Sequence, residues 1–425
     1  MTEHVHPADE MPRRSPPIPA QKLNIHPESP KKPRVLTPDL ARGIMLLCIA
    51  IANSAGIFLA RTPGLEADPE GMERGMNAVL TLLVHARSFP VFVLVFGYSL
   101  VLFIRHRQRR GDDHRTIRRT LTRRSIWLVL FGAVHGTLLY AGDFLGAYGI
   151  LGLLFVVVLM NRGERFHRLA PCYLGVVGLC AAVYAVLTSV EQSQSAAIDA
   201  ATPYSLFPSA SAPDYLSAVS ERLTEWPVHT LILTALIFHV WIGVWAARNG
   251  ILEHPEQYRR LLWTAVTIGL TLSMAGALPM ALLSADLWHT NSAAADWARM
   301  LYEVTGSFGA IGYLALLTLV AGRIERKRST GPIVRSLSAL GRRSLSAYLF
   351  QSIAWLLLAA SFTLALPQRT DSPLLMAIVC ATGVWLITLI GAEWMRRRNL
   401  QGPMEVLLRH LSHGSATRPT PRSQR

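Results

Sequence analysis

Five side chains in the first 150 residues form a set that can move a proton: His85, Arg87, His135, Asp143 and Tyr148. A histidine serves as a general base near neutral pH and a carboxylate beside it holds the ring. A tyrosine hydroxyl or a guanidinium can meet the negative charge that develops on a carbonyl oxygen. This is chemistry suited to group transfer, and its centre lies between His135 and Tyr148. From Ser125 to Met160 the only formally charged residue is Asp143. One helix of that length would run roughly 54 Å, against about 30 Å for the hydrocarbon core of a bilayer. The chain is therefore expected to bend at Ala141-Gly142-Asp143, where glycine ends one helix and aspartate caps the next. The resulting hairpin places His135 about 10 Å below the turn on one arm and Tyr148 about 9 Å below it on the other.

The elements that must hold this hairpin are also legible. The chain has 425 residues, of which 51% are hydrophobic and 16% charged, and its mean hydropathy is +0.31. That composition belongs to a membrane protein rather than a soluble globular one. Apolar segments near 40–60, 78–103, 124–141, 143–160, 168–190, 228–247, 262–285, 299–321, 343–362 and 374–394 predict an all-α, polytopic transmembrane bundle of about ten spans. Its expected parts are a disordered cytoplasmic tail over 1–37, a transmembrane half over 38–227 that ends in a long outer loop, a second half over 228–412, and a basic disordered tail over 413–425. The net charge of +15 lies in short blocks between apolar segments and forms no aromatic-basic surface, so nucleic acid is not an expected partner. Cys48, Cys172, Cys180 and Cys380 lie in apolar runs without the spacing of a zinc site or a disulfide framework, and no metal is expected.

Lysine and arginine set the orientation, because cytoplasmic loops carry their excess. Nine arginines lie between Arg105 and Arg124, whereas the outer loops carry Arg61, Arg74, Arg222 and Arg369. Both termini are therefore expected in the cytoplasm of a bacterial inner membrane. The segment Glu191 to Pro227 becomes the long outer loop, with Tyr215 to Trp226 lying along the membrane surface. Counting depth along the spans puts Asn53, His85, His135 and Tyr148 at one level in the outer half, with Arg87 and Glu303 near and Pro90 expected to kink the second span. His85 and Arg87 are two apart and do not share a helix face. An inner set comprises Asp39, Arg42, Tyr348, Gln351 and Glu393. The plainer reading of both layers is interhelical hydrogen bonding, with Asp143 only a cap and Asp39 paired with Arg42 three residues on.

Three patches resemble the YeiB-like bacterial membrane proteins, the domain of unknown function 418 family. They are Pro38-Asp39-Leu40-Ala41-Arg42-Gly43, the hairpin from His135 through Gly142-Asp143-Phe144-Leu145 to Tyr148, and Gly341-Arg342 with Leu345, Tyr348 and Gln351 followed by Gly402-Pro403-Met404-Glu405 and Arg409. Ser346 and Ala347 depart from the Thr and Asn common in the family. The resemblance implies an α-helical membrane fold and supplies no activity. More distantly, the start Asp39-x-x-Arg42-Gly43 is similar to integral-membrane acyltransferases that take an acyl group from cytoplasmic coenzyme A. On that analogy His135 is the base, Asp143 its orienter, and Tyr148 or Arg87 the oxyanion donor, with His85 the second candidate base. Asp39, Arg42, Tyr348 and Gln351 face the acyl-coenzyme A donor, and the acceptor is a membrane lipid or an envelope glycan. The competing expectations are a transporter or export factor for a small amphipathic solute or lipid, and a scaffold working through the outer loop.

Overall fold

The computed structural model describes residues 35–59, 71–194, 207–327 and 330–413, and these are helical throughout. In chain order the helices are α1 (Leu36–Leu59), α2 (Met72–Leu83), α3 (Ser88–Arg109), α4 (His114–Leu138) and α5 (Leu145–Leu154), the last continuing through one π turn, Phe155–Leu159. Then come α6 (Glu164–His167), α7 (Tyr173–Gln194), α8 (Tyr215–Ile232), α9 (Ile237–Arg248), α10 (Arg259–Ser284) and α11 (Ser292–Arg326). The chain closes with α12 (Pro332–Gly341), α13 (Ser344–Ala359), α14 (Pro373–Arg397) and α15 (Pro403–His413). Of the expected tails, 1–37 and 413–425, residues 1–34 and 414–425 lie outside the described residues, as does the middle of the outer loop, 195–206, while Leu36 and Thr37 open α1 and His413 ends α15.

Each of the ten apolar segments is helical, and seven form runs long and apolar enough to cross a membrane. Three fall short for distinct reasons. α4 carries Arg115, Arg118, Arg119, Arg123 and Arg124 in its first half. The run Leu145–Leu159 is apolar but, at 1.5 Å per residue, extends only about 22 Å, and Ser344–Ala359 is similarly short. The protein is an integral, multi-pass membrane protein in which two short helices stand among longer ones.

Small residues let these helices approach closely, as packing without a hydrophobic driving force requires. A Cβ at Gly97 of α3 would strike the Val240 carbonyl of α9, and one at Gly243 would strike the Leu94 carbonyl in return. The same holds between α4 and α5, where a Cβ on Gly132 would run into the Gly146 backbone and the Asp143 carboxylate. The largest buried cluster, including Leu94, Tyr98, Leu121, Leu151, Phe155 and Val240, therefore has the hairpin as one wall.

Two expectations shift. The second span does break, but at Val84–Arg87, where Ala86 takes φ 58°, and not at Pro90. Pro90 is the third residue of α3, in the first turn, where a missing backbone N–H leaves no bond unmade. The segment from Tyr215 to Trp226 is not a separate surface element. It is the first part of a helical run, Tyr215–Arg248, that passes through Pro227 and packs on α4.

Candidate functional site

The turn between α4 and α5 is formed as the sequence implies, and it is buried. Leu139 and Tyr140 end α4 by donating to the His135 carbonyl, and Asp143 then caps α5. Its Oδ1 accepts from the Leu145 N–H at 3.0 Å and its Oδ2 from the Gly146 N–H at 2.7 Å. Two orphan donors at the positive end of α5 are thereby satisfied. The carboxylate has no exposed surface at all. Non-helical backbone at this depth is tolerated where protein covers it, and here α8 supplies the cover.

Asp143 does more than cap. Its Oδ1 also lies 2.8 Å from His135 Nδ1, and its Oδ2 accepts from Trp226 Nε1 at 3.2 Å. An ionised carboxylate can only accept, so the bond assigns the His135 proton to Nδ1 and leaves the lone pair of a neutral ring on Nε2. Nε2 is buried and has no hydrogen-bond partner. A buried nitrogen with its lone pair free and its ring fixed from the other side is what a general base requires. Trp226 reaches the carboxylate through a slot left by missing side chains: Cβ atoms on Gly136 or Gly146 would fall on its indole ring. At the start of α8, the Ser217 backbone N–H and then its hydroxyl hold the Asp214 carboxyl below its ordinary range.

A third element enters from α13. The Tyr348 ring centroid is 5.2 Å from that of His135, and its hydroxyl oxygen accepts from the Phe144 N–H at 3.4 Å. α13 is fixed at its N-terminus by α15: Glu405 accepts from the Leu345 N–H at 2.9 Å, the Ser346 N–H at 3.2 Å and the Ser346 hydroxyl at 2.5 Å. The Ser346 hydroxyl oxygen in turn accepts from the Met404 N–H at 3.1 Å. A hydroxyl is the group needed there, and Ser346 supplies it. Three residues beyond Tyr348, Gln351 is 1% exposed and neither of its amide atoms has a partner.

Residues 246–415 match the family described as "Protein of unknown function (DUF418)". The C-terminal part of the chain thus matches the DUF418 family. It is 28% identical over 400 residues to "Uncharacterized protein YeiB" of Escherichia coli, which covers 89% of this chain and 96% of that protein. It is 23% identical over 298 residues to "Uncharacterized protein YxaH" of Bacillus subtilis, covering 65% of this chain and 67% of that one. A Bacillus acidopullulyticus protein, "Uncharacterized 39.9 kDa protein in amylase 3'region", is 32% identical over 123 residues, covering 29% of this chain and 33% of the other. The DUF418 match contains the whole latch from Gly341 to Glu405, and the similarity to YeiB extends well beyond it.

The other expected site residues divide. Tyr148 packs its ring edge-on to Phe89 and Phe96, at 5.9 and 4.8 Å, and its hydroxyl is buried without a partner. The tyrosine ring in contact with His135 is Tyr348, which sequence depth assigns to the inner set. His85 and Arg87 sit at the α2–α3 break, against α10 and α11. Arg87 is 1% exposed and donates to the carbonyls of Thr81 at 2.8 Å, His85 at 2.6 Å and Ser273 at 2.9 Å, with its guanidinium 5.4 Å from the Tyr302 ring. Neither ring nitrogen of His85 has a partner. Asp39 is buried between Arg42 at 3.8 Å and Arg342 at 3.9 Å, and Arg42 also donates to the Ser99 hydroxyl at 2.6 Å. Among the described residues no group of three or more His, Cys, Asp or Glu side chains could hold a metal ion.

Trp226 and Tyr348 are the site residues that sequence reasoning misses or misplaces. The signal for Trp226 is the spacing of Arg222, Trp226 and Thr230, four apart. It puts three buried or half-buried polar side chains on one face of a helix that otherwise reads as outer loop.

Proposed function

We propose that this protein is an integral-membrane acyltransferase of the bacterial inner membrane, with His135 as general base and both termini in the cytoplasm. The observation that carries the reading is the His135–Asp143 pair, with Nδ1 fixed and Nε2 buried and free. An acceptor hydroxyl adds to the carbonyl carbon of an acyl thioester, and its proton passes to His135 Nε2. The Tyr348 oxygen already accepts from Phe144, which leaves its O–H available to donate to the carbonyl oxygen as that becomes negative. Collapse breaks the carbon–sulfur bond, and the thiolate of coenzyme A takes the proton back from His135. Arg42 and Arg342, gathered at Asp39 near the start of α1, suit the phosphates of the acyl-coenzyme A donor. The acceptor is a lipid or a glycan of the envelope.

The test is turnover of acyl-coenzyme A by purified protein, with an acceptor found by comparing lipids and envelope glycans of a deletion strain with those of its parent. His135→Gln should lower transfer by about 10²- to 10⁴-fold while donor binding persists. Unchanged transfer in His135→Gln sinks the proposal. A second reading, transport of a small amphipathic solute, is favoured by the unpartnered polar atoms of His135, Tyr148 and Gln351. Solute uptake into reconstituted vesicles without thioester cleavage would select it.

A further inference from the structure

One face of α8 serves two purposes. Trp226 bonds Asp143, and one turn earlier Arg222 donates to the carbonyl of Leu138 at 3.2 Å. Beyond Leu138, a narrow cleft, partly open to solvent, is lined by Tyr140, Phe207, Ser209, Arg222, Trp355 and Leu356 among others. Leu139 and Tyr140 are the residues whose N–H groups close the last turn of α4 on His135, so the cleft begins about one helical turn outward of the base.

Its polar lining is left with donors to spare. Arg222 is 5% exposed, and its Nε is buried without a partner. Trp355 is 1% exposed, and its indole Nε1 is likewise buried and unpartnered. The acidic group whose charge reaches Arg222 most plainly, Glu225, has both oxygens committed to Ser209, at 2.7 Å to the N–H and 2.6 Å to the hydroxyl. No carboxylate stands within ion-pair distance of Arg222 among the described residues. A buried guanidinium in an apolar bundle is costly unless an anion answers it, and a guanidinium with a second N–H nearby is the usual donor set for phosphate oxygens. The walls are aromatic and apolar, and Leu138, Leu216 and Leu223 are exposed on the two helices that carry the cleft's edge. That surface suits an acyl or prenyl chain, not a free ion.

We infer that the cleft between Arg222 and Trp355 binds the phosphate headgroup of an anionic amphiphile, presented from the outer side to His135. The inference rests on the acyl-transfer reading for its purpose, since it assigns this cleft to the acceptor, but the binding itself can be measured without any turnover.

The experiment is native mass spectrometry of the full chain in a neutral detergent, titrated separately with phosphatidylglycerol, phosphatidylcholine and glycerol 3-phosphate. The wild type should retain phosphatidylglycerol at least about tenfold more tightly than phosphatidylcholine. Arg222→Gln should lose that preference, and Arg222→Lys should recover part of it. Because Arg222 also holds the Leu138 carbonyl, Trp355→Phe provides a second variant: it keeps an aromatic side chain, removes the N–H with the fused pyrrole ring, and should weaken phosphatidylglycerol by about threefold or more. Equal retention of the two lipids by the wild type overturns the inference. So does an unaltered preference in both Arg222→Gln and Trp355→Phe. Glycerol 3-phosphate binding as tightly as the lipid would overturn the amphiphile and leave a soluble phosphate. His135→Gln separates the two claims: it should keep the lipid preference while transfer is lost. Arg222-dependent retention in a protein with no transfer removes the acyltransferase reading alone, and transfer indifferent to Arg222 removes the cleft alone.

Discussion

Two ionic groups are buried in this bundle at breaks between helices, and they are satisfied in opposite ways. At the α2–α3 break, Arg87 gives its donors to three backbone carbonyls and lays its guanidinium near the Tyr302 ring. At the α4–α5 turn, Asp143 takes two backbone N–H groups, an indole N–H and an imidazole N–H. Both arrangements answer the cost of a charge in an apolar interior. Arg87 staples together backbone that would otherwise carry unpaired carbonyls, and it orients no titratable ring, since both nitrogens of the nearby His85 are without a hydrogen-bond partner. Asp143 instead spends one acceptor on a titratable ring whose far nitrogen remains unpartnered. Burial and charge are therefore poor guides to function by themselves; what separates the sites is whether satisfying the charge leaves a reactive atom over.

The largest effect expected from this contrast lies in the His135–Asp143 pair. Asp143→Asn keeps the cap but can present its amide N–H₂ to His135, which favours the wrong tautomer and should lower transfer by about 10²-fold or more. Combined with His135→Ala, the two changes should be strongly non-additive, because each alone disables the same unit. Full additivity in a double-mutant cycle would reduce Asp143 to a helix cap and erase the distinction from Arg87. At the other break, Arg87→Met should behave differently in kind. Three carbonyls lose their donor, at about 1–3 kcal/mol for each left buried and unpaired, so thermal stability in detergent should fall clearly. Transfer per folded molecule should stay within a few-fold of wild type. A large loss of turnover with unchanged melting would move Arg87 into the chemistry.

The sequence carries half of this contrast. A lone carboxylate in a 36-residue apolar stretch, preceded by glycine, fixes where the chain must bend, and the bend is at Gly142-Asp143 with Asp143 capping α5. The pairing with His135 follows from eight residues of spacing folded back on themselves. Direction around the bundle is not legible, and residue count puts Tyr348 in a different layer from His135 although their rings meet. His85, His135 and Tyr148 share a level by residue count, yet His85 sits at the α2–α3 break beside Arg87, and Tyr148 turns to Phe89 and Phe96. Tyr348 reaches His135 because α13 is short and starts deep, held there by Glu405 from α15. That depends on a contact between residues 345 and 405, which periodicity does not encode. Trp226 escapes notice for a related reason: Pro227 reads as the start of a span, whereas the helix runs through it from Tyr215.

The smallest effect sharpens the comparison most finely. Trp226 gives Asp143 one of its four hydrogen bonds, at 3.2 Å the longest, through a slot walled by Gly136 and Gly146. Phenylalanine keeps an aromatic ring in that slot and deletes the N–H together with part of the bicycle. Asp143 would keep its two backbone donors and His135, so the cap and the ring orientation persist. The lost bond is one to a charged group, near the lower end of about 1.5–3 kcal/mol because of its length. Trp226→Phe should therefore soften thermal stability slightly and lower transfer by only about three- to tenfold. At Arg87 the partnered donors, Nη1 and Nη2, run to backbone carbonyls, while Nε is buried without a partner. If Trp226→Phe disables transfer as fully as Asp143→Asn with stability intact, the indole itself is part of the reacting site. Asp143 would then not be the sole link between α8 and His135.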